Sequence, residues 1–146
     1  MSSVTYQPYS LERQTIARHG AYAALVPFPF VCFILALGTD LLYIRTSNLM
    51  WQNFSAWLLL VGLVMGVLAA VAGTAELMLR RDLRMRPIAW IQGGLGLLAL
   101  VLALLNSLVH ARDGWTAVAW QGLALSFATV LVVIVAAILG RVLIHD

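Results

Sequence analysis

The chain has 146 residues, 62% of them hydrophobic and only 10% charged, and its mean hydropathy is +0.94. A soluble domain carries roughly 25% charged residues, so a water-soluble globule is excluded, and lipid is the solvent this composition suits. The net charge of +3 comes from nine arginines and no lysine; they flank the apolar runs, which marks membrane topology and not a nucleic-acid surface.

Residues 1–22 are mostly polar and lack a convincing cleavage site, so a retained cytoplasmic segment is expected in place of a signal peptide. Within it SLERQTIARH, from Ser10 to His19, has the pattern of a short interfacial helix capped by Ser10, with Leu11 and Ile16 turned to lipid. From residue 23 to residue 146 the chain reads as one transmembrane domain. Its apolar runs are about Ala23 to Ile44, Phe54 to Leu79, Ile88 to Val109 and Trp115 to Ile144. Each meets the length of about 20 residues that crosses about 30 Å of hydrocarbon. The expected fold is all-α: a polytopic four-transmembrane-helix bundle with short loops. Pro27 and Pro29 fall near the start of the first span, where a proline ring does least harm or sets a kink. Cys32, the single cysteine, lies inside that span and reads as a small core residue, without an intramolecular disulfide or a metal of its own.

With the N-terminus in the cytoplasm, Arg13, Arg18, Arg80, Arg81, Arg84, Arg86 and Arg141 fall on the cytoplasmic side and only Arg45 and Arg112 opposite. That bias satisfies the positive-inside rule, and both termini are expected to face the cytoplasm. The densest piece, RRDLRMR at Arg80 to Arg86, also suits contact with anionic headgroups.

Helices in lipid associate through small residues and polar contacts. Gly62 and Gly66 form a GxxxG pair, continued by Ala70 and Thr74. The third span opens with Gly93, Gly94 and Gly96, and the fourth carries Gly122, Ser126, Ala136, Ala137 and Gly140. These faces are expected to pack within one bundle more than between copies, with a homo-oligomer as the alternative.

Ionisable groups inside a membrane are the natural functional candidates. Asp40 lies near the outer end of the first span and Glu76 near the inner end of the second, on the order of 20 Å apart by helical rise, so they do not form one catalytic pair. Glu76 stands four residues before Arg80, an ion-pair spacing on a helix. At the outer end Asn106 and His110 share a helix face. Arg112, Asp113, Trp115 and Thr116 follow, with Asp113 placed to cap the fourth helix, and Asp40 and Arg45 end at a similar depth. The expectation is a polar cluster of Asp40, Arg45, Asn106, His110, Arg112, Asp113 and Trp115, under an aromatic belt of Tyr43, Trp51 and Trp115. It serves either to pin the short outer loops or to dock a partner or small ligand.

Four-helix membrane bundles often hold haem between facing histidines, but His19, His110 and His145 all lie at span ends, and His110 is opposite the other two. No metal spacing, phosphate loop or nucleophile–base arrangement occurs. No cofactor and no catalytic activity are expected, and haem or quinone electron transfer is the alternative.

The segments VPFP (Val26 to Pro29), TDLLY (Thr39 to Tyr43), MWQNFSAW (Met50 to Trp57) and VHARDGWT (Val109 to Thr116) resemble a bacterial membrane-protein family catalogued as domain of unknown function 2231. The resemblance covers about Tyr22 to Val142. It implies four transmembrane helices and no established activity, and it implies a periplasmic dehydrogenase or cytochrome as a partner, since members tend to be encoded beside such proteins. Asp40, His110, Arg112, Asp113, Trp115 and Thr116 match its pattern. Glu76 replaces a usual aspartate, Gln92 a common histidine, Gly96 a common asparagine, and Tyr22-Ala23 a frequent His-Pro. The usual Arg-His-Gly ending is shortened to Leu143-Ile144-His145-Asp146. The lost histidines weaken haem or metal binding, whereas the retained outer motif favours an accessory or anchoring subunit docking an extracytoplasmic, redox partner.

The topology has a direct test. A phosphatase that is active only outside the cytoplasm, fused after residue 47, is expected to be active, and the same reporter after residue 84 inactive; the reverse pattern overturns the assigned orientation.

Overall fold

The computed structural model describes residues 21–111 and 118–145. Helix α1 spans Ala21–Leu25, α2 Pro27–Thr46, α3 Leu49–Leu79, α4 Arg81–Arg84, α5 Pro87–His110 and α6 Leu123–His145, the last preceded by a π-helical turn at Val118–Gly122. Four segments are long and apolar enough to cross a membrane: Ala21–Thr46, Leu49–Leu79, Pro87–His110 and Trp120–Arg141. The fold is all-α, with no strand among the described residues. The interfacial helix expected at Ser10 to His19 and the expected start of the fourth span at Trp115 lie outside the described residues.

Helix ends follow capping chemistry more closely than hydropathy. The second span begins at Leu49, five residues before the expected Phe54, because Asn48 caps it: Asn48 Oδ1 accepts the Met50 N–H at 3.0 Å. On the other side of the turn Ser47 adopts the left-handed region (φ 51°, ψ 23°) and donates its N–H to the Tyr43 carbonyl at 2.8 Å. Only Ser47 and Asn48 separate α2 from α3. Hydropathy placed the boundary too late because Gln52 and Asn53 are polar while already helical. At the first span's other end, Pro27 carries no N–H, and a one-residue interruption at Val26 divides α1 from α2.

The four long helices pack in a ring, α2 on α3, α3 on α5, α5 on α6, and α6 back on α2. Each turns one seam inward. The buried positions are Phe33, Ala36, Asp40 and Tyr43 on α2, Ser55, Leu59, Gly62, Gly66 and Ala69 on α3, and Ala99, Ala103, Asn106 and His110 on α5. Steps of three and four alternate along each seam, the knobs-into-holes spacing of left-handed bundles. Phe33, Ala36, Leu59, Ala103 and Val130 form the apolar core. The opposite faces, with residues such as Val31, Leu35, Val64, Val101 and Leu131, are exposed; in a bilayer they meet acyl chains.

Small residues are used where backbones or rings come close. A Cβ on Gly62 would stand 2.6 Å from Phe33 Cε1 and 3.1 Å from Cys32 Cβ, and one on Gly66 2.5 Å from Leu100 Cδ2. The expected continuation of this face is corrected by one residue. Ala70 and Thr74 are exposed, and the seam runs through Ala69 to Gly73, which receives the Tyr22 ring. A strict four-residue step drifts off a seam whose mean period is near 3.5. A Cβ on Gly93, Gly94 or Gly96 would meet nothing within 4 Å, so these three face outward and are not packing glycines.

This difference predicts opposite outcomes. Gly62→Ala is expected to destabilise the bundle by about 1–3 kcal/mol through overpacking, whereas Gly93→Ala is expected to be neutral or to stabilise by about 0.5–1 kcal/mol through helix propensity. Unfolding in mixed detergent measures both, and equal effects would contradict the seam.

Candidate functional site

Near the end of the bundle that holds Thr46 and His110, the seam becomes polar on every helix. Asp40 on α2 is six residues from the end of its helix, about 9 Å by helical rise. Ser55 on α3, Asn106 and His110 on α5 and Ser126 on α6 lie at the same level, and all are buried. The Asp40 carboxylate gathers them. Ser55 Oγ donates to Asp40 Oδ1 at 2.5 Å, Ser126 Oγ donates to Oδ2 at 2.5 Å, and His110 Nε2 stands 3.0 Å from Oδ1. Asn106 Nδ2 donates in turn to Ser126 Oγ at 2.6 Å. One carboxylate thereby joins three other helices.

The His110 bond has particular structural weight because it crosses the diagonal of the ring. Helices α2 and α5 are not neighbours in the packing order, so the Asp40–His110 contact ties together two helices that otherwise meet only through α3 and α6. Gly122, in the π-helical turn, makes room for the ring; a Cβ there would stand 2.9 Å from His110 Cε1. π-Helical turns recur at functional sites because they shift a helix face locally.

The hydrogen-bond pattern also counts protons. His110 Nδ1 lies 2.9 Å from the Asn106 carbonyl oxygen. A carbonyl only accepts, so Nδ1 carries a hydrogen, and one further proton lies on the line between Nε2 and Asp40 Oδ1. The pair is therefore neutral as a whole, whether written as imidazolium and carboxylate or as imidazole and carboxylic acid. A neutral pair is the arrangement compatible with burial in lipid. Asn106 Oδ1 is left without a partner. Turning its amide over would not help, since the Ser126 hydroxyl already gives its hydrogen to Asp40.

Of the other residues expected in this cluster, only Arg45 is among the described ones, and it lies elsewhere. Arg45 is exposed; five residues past Asp40, it points about 140° around the helix from it. Arg112, Asp113 and Trp115 lie outside the described residues. Trp51 packs near Phe54 with ring centroids 6.3 Å apart, while Tyr43 is buried on the α2 seam. Ser55 and Ser126 are partners that reading the residues by type left out of the cluster. The signal for them was positional: Ser55 precedes Leu59, Gly62 and Gly66 by seam steps, and Ser126 sits one turn beyond Gly122.

At the other end, Glu76 and Arg80 share the close of α3, where the Arg80 N–H bonds the Glu76 carbonyl at 2.9 Å. The Glu76 carboxylate crosses to the first span and accepts the Tyr22 backbone N–H at 3.1 Å. An anion there satisfies a first-turn amide and complements the helix dipole. Asp40 and Tyr22 are 18 residues apart, about 27 Å by helical rise, so the two carboxylates serve separate ends.

Among the described residues no group of three or more His, Cys, Asp or Glu side chains is placed to hold a metal ion. Both His110 ring nitrogens are engaged, which leaves no lone pair for a haem iron without breaking the network. A small crevice of about 210 Å³ opens between α3 and α5, lined by Ala56, Trp57, Leu60, Ser107, His110 and Ala111.

Fold and site together define a four-helix membrane bundle cross-pinned by a buried aspartate–histidine pair. The family described as predicted membrane protein, DUF2231, matches residues 18–145, and the chain belongs to it. No curated protein and no solved structure matches the chain.

The network predicts energetic coupling. Asp40→Ala and His110→Ala are each expected to destabilise the bundle by about 3–5 kcal/mol, the range for removing one partner of a buried pair. The double variant should cost less than the sum, with a coupling of about 0.5–3 kcal/mol. Strict additivity in detergent unfolding would mean that the pair contributes nothing as a pair.

Proposed function

We propose that the protein is a non-catalytic accessory subunit of the bacterial inner membrane that presents its Asp40–His110 end to an extracytoplasmic partner. The observation that carries this reading is the convergence of three helices on one buried carboxylate at that end. The polar atoms of the network face one another, so Asp40 and His110 act as a lock and not as contact residues. What the lock holds in place is the two-residue turn at Ser47 and Asn48 and the point, just after His110, from which Arg112, Asp113 and Trp115 follow. A rigid end suits docking because little conformational entropy is lost on association. A periplasmic dehydrogenase or cytochrome is the partner class that this reading favours, on the resemblance of the outer motif.

A second reading, a quinone-binding electron-transfer subunit, draws on the crevice beside His110. At about 210 Å³ the crevice is below the roughly 300–1,000 Å³ of typical small-molecule sites, enough for a ring but not for a buried cofactor. Haem is disfavoured by the engaged His110 nitrogens.

Cross-linking in native membranes, followed by purification of the tagged full-length chain, separates the readings. Under the accessory-subunit reading, a defined periplasmic protein is captured stoichiometrically, is lost on Arg112→Ala, and is kept on Arg84→Ala at the opposite end. Capture indifferent to Arg112→Ala would sink that reading, and stoichiometric quinone in the purified protein would replace it with the second.

A further inference from the structure

The end of the bundle opposite Asp40 carries a feature that the docking reading leaves unused. Between α3 and α5 the chain RRDLRMR makes a single helical turn, α4, with four arginines and one aspartate in seven residues. Arg81, Arg84 and Arg86 are exposed. Arg81 and Arg84 are three apart on that turn and therefore neighbours on one side, with Cβ atoms about 5–6 Å apart. The turn is held in shape. The Met85 N–H bonds the Arg81 carbonyl at 3.2 Å, the Arg86 N–H bonds the Leu83 carbonyl at 3.1 Å, and the Trp90 indole N–H donates to the Arg84 carbonyl at 3.1 Å.

The second observation is apolar. Met78 and Leu79, just before the arginines, are 73% and 85% exposed, and Met85, between Arg84 and Arg86, is 76% exposed. Large side chains so bare are costly in water, whereas they are at home at the boundary of the acyl region. Trp90, also exposed, has the amphipathic character of an interfacial anchor. Exposed apolar side chains beside exposed guanidinium groups suit the hydrocarbon edge and the phosphate level of a bilayer respectively. Exposed Arg141, near the end of the fourth span, lies at the same end of the bundle. The nearest described carboxylate, Glu76, is directed to the Tyr22 amide.

We propose that the Arg81–Arg86 turn is a binding site for the phosphate groups of anionic phospholipids, retained by the protein in preference to zwitterionic lipid. Guanidinium groups match phosphate oxygens in bidentate fashion, and each basic residue near an anionic surface favours the interaction about fivefold. The site is independent of the docking reading and stands or falls separately from it.

Native mass spectrometry of the delipidated, detergent-purified full-length chain tests the site, after exposure to an equimolar mixture of phosphatidylglycerol and phosphatidylcholine. The expected result is a preference for phosphatidylglycerol of at least ~10-fold. It should be lost in the Arg81→Gln/Arg84→Gln/Arg86→Gln variant and kept in Arg45→Gln. Arg84→Gln alone, a milder change, should reduce the preference several-fold, which keeps the test decisive if the triple variant does not fold. Wild-type protein without preference, or a folded triple variant that retains it, overturns the proposal. Displacement of the lipid by millimolar inorganic phosphate also overturns it, since the turn would then be a site for free phosphate and not for a lipid headgroup.

Discussion

The arrangement depends on one carboxylate that has no water to turn to. Asp40 lies within a membrane-spanning helix, where an ionisable side chain left alone disfavours insertion by about 2.5–3.5 kcal/mol even by the mildest measures. Its two oxygens find three partners, Ser55, Ser126 and His110, each from a different helix. The requirement to satisfy one side chain thus becomes a specification of how four helices are rotated and at what height they meet. Apolar seams alone would permit sliding, because one leucine in lipid is much like another. The polar layer does not.

Close packing makes that layer possible. Ala36 and Ala103 are fully buried one turn below the polar residues, and Gly122 admits the His110 ring. Larger residues at these points would separate the backbones and lengthen every hydrogen bond in the network. The far end is secured differently, by a single carboxylate reaching the backbone of the first span at Tyr22. One end is therefore cross-linked across all four helices, and the other carries an exposed arginine-rich turn. This asymmetry is the physical basis of the two proposals made above, docking at one end and anionic lipid at the other.

The hydrogen bonds of the polar layer are directed inward, toward one another. Ser55 and Ser126 both give their hydrogens to the Asp40 carboxylate, and both nitrogens of His110 are engaged within the same layer. A reacting group needs an open position beside it. The small crevice at His110 offers only the edge of the network, lined chiefly by apolar side chains. Membership in a family of predicted membrane proteins agrees with the membrane character.

Length and hydropathy determined the number of spans and the all-α class, because crossing hydrocarbon demands about 20 apolar residues in a row whatever the fold. The candidate residues Asp40, Asn106 and His110 were also legible, since ionisable and amide groups stand out in apolar runs. Only the tertiary structure decided which of them meet. Arg45, at a depth similar to Asp40, turns to the outside, while Ser55 and Ser126, inconspicuous among small residues, complete the coordination of the carboxylate. Ala69 takes the seam position that a strict four-residue step assigned to Ala70, and Gly93, Gly94 and Gly96 face outward. The reason is geometric: a sequence sets heights along each helix through a constant rise per residue, but the rotation of one helix against another is set by contacts between segments far apart in the chain.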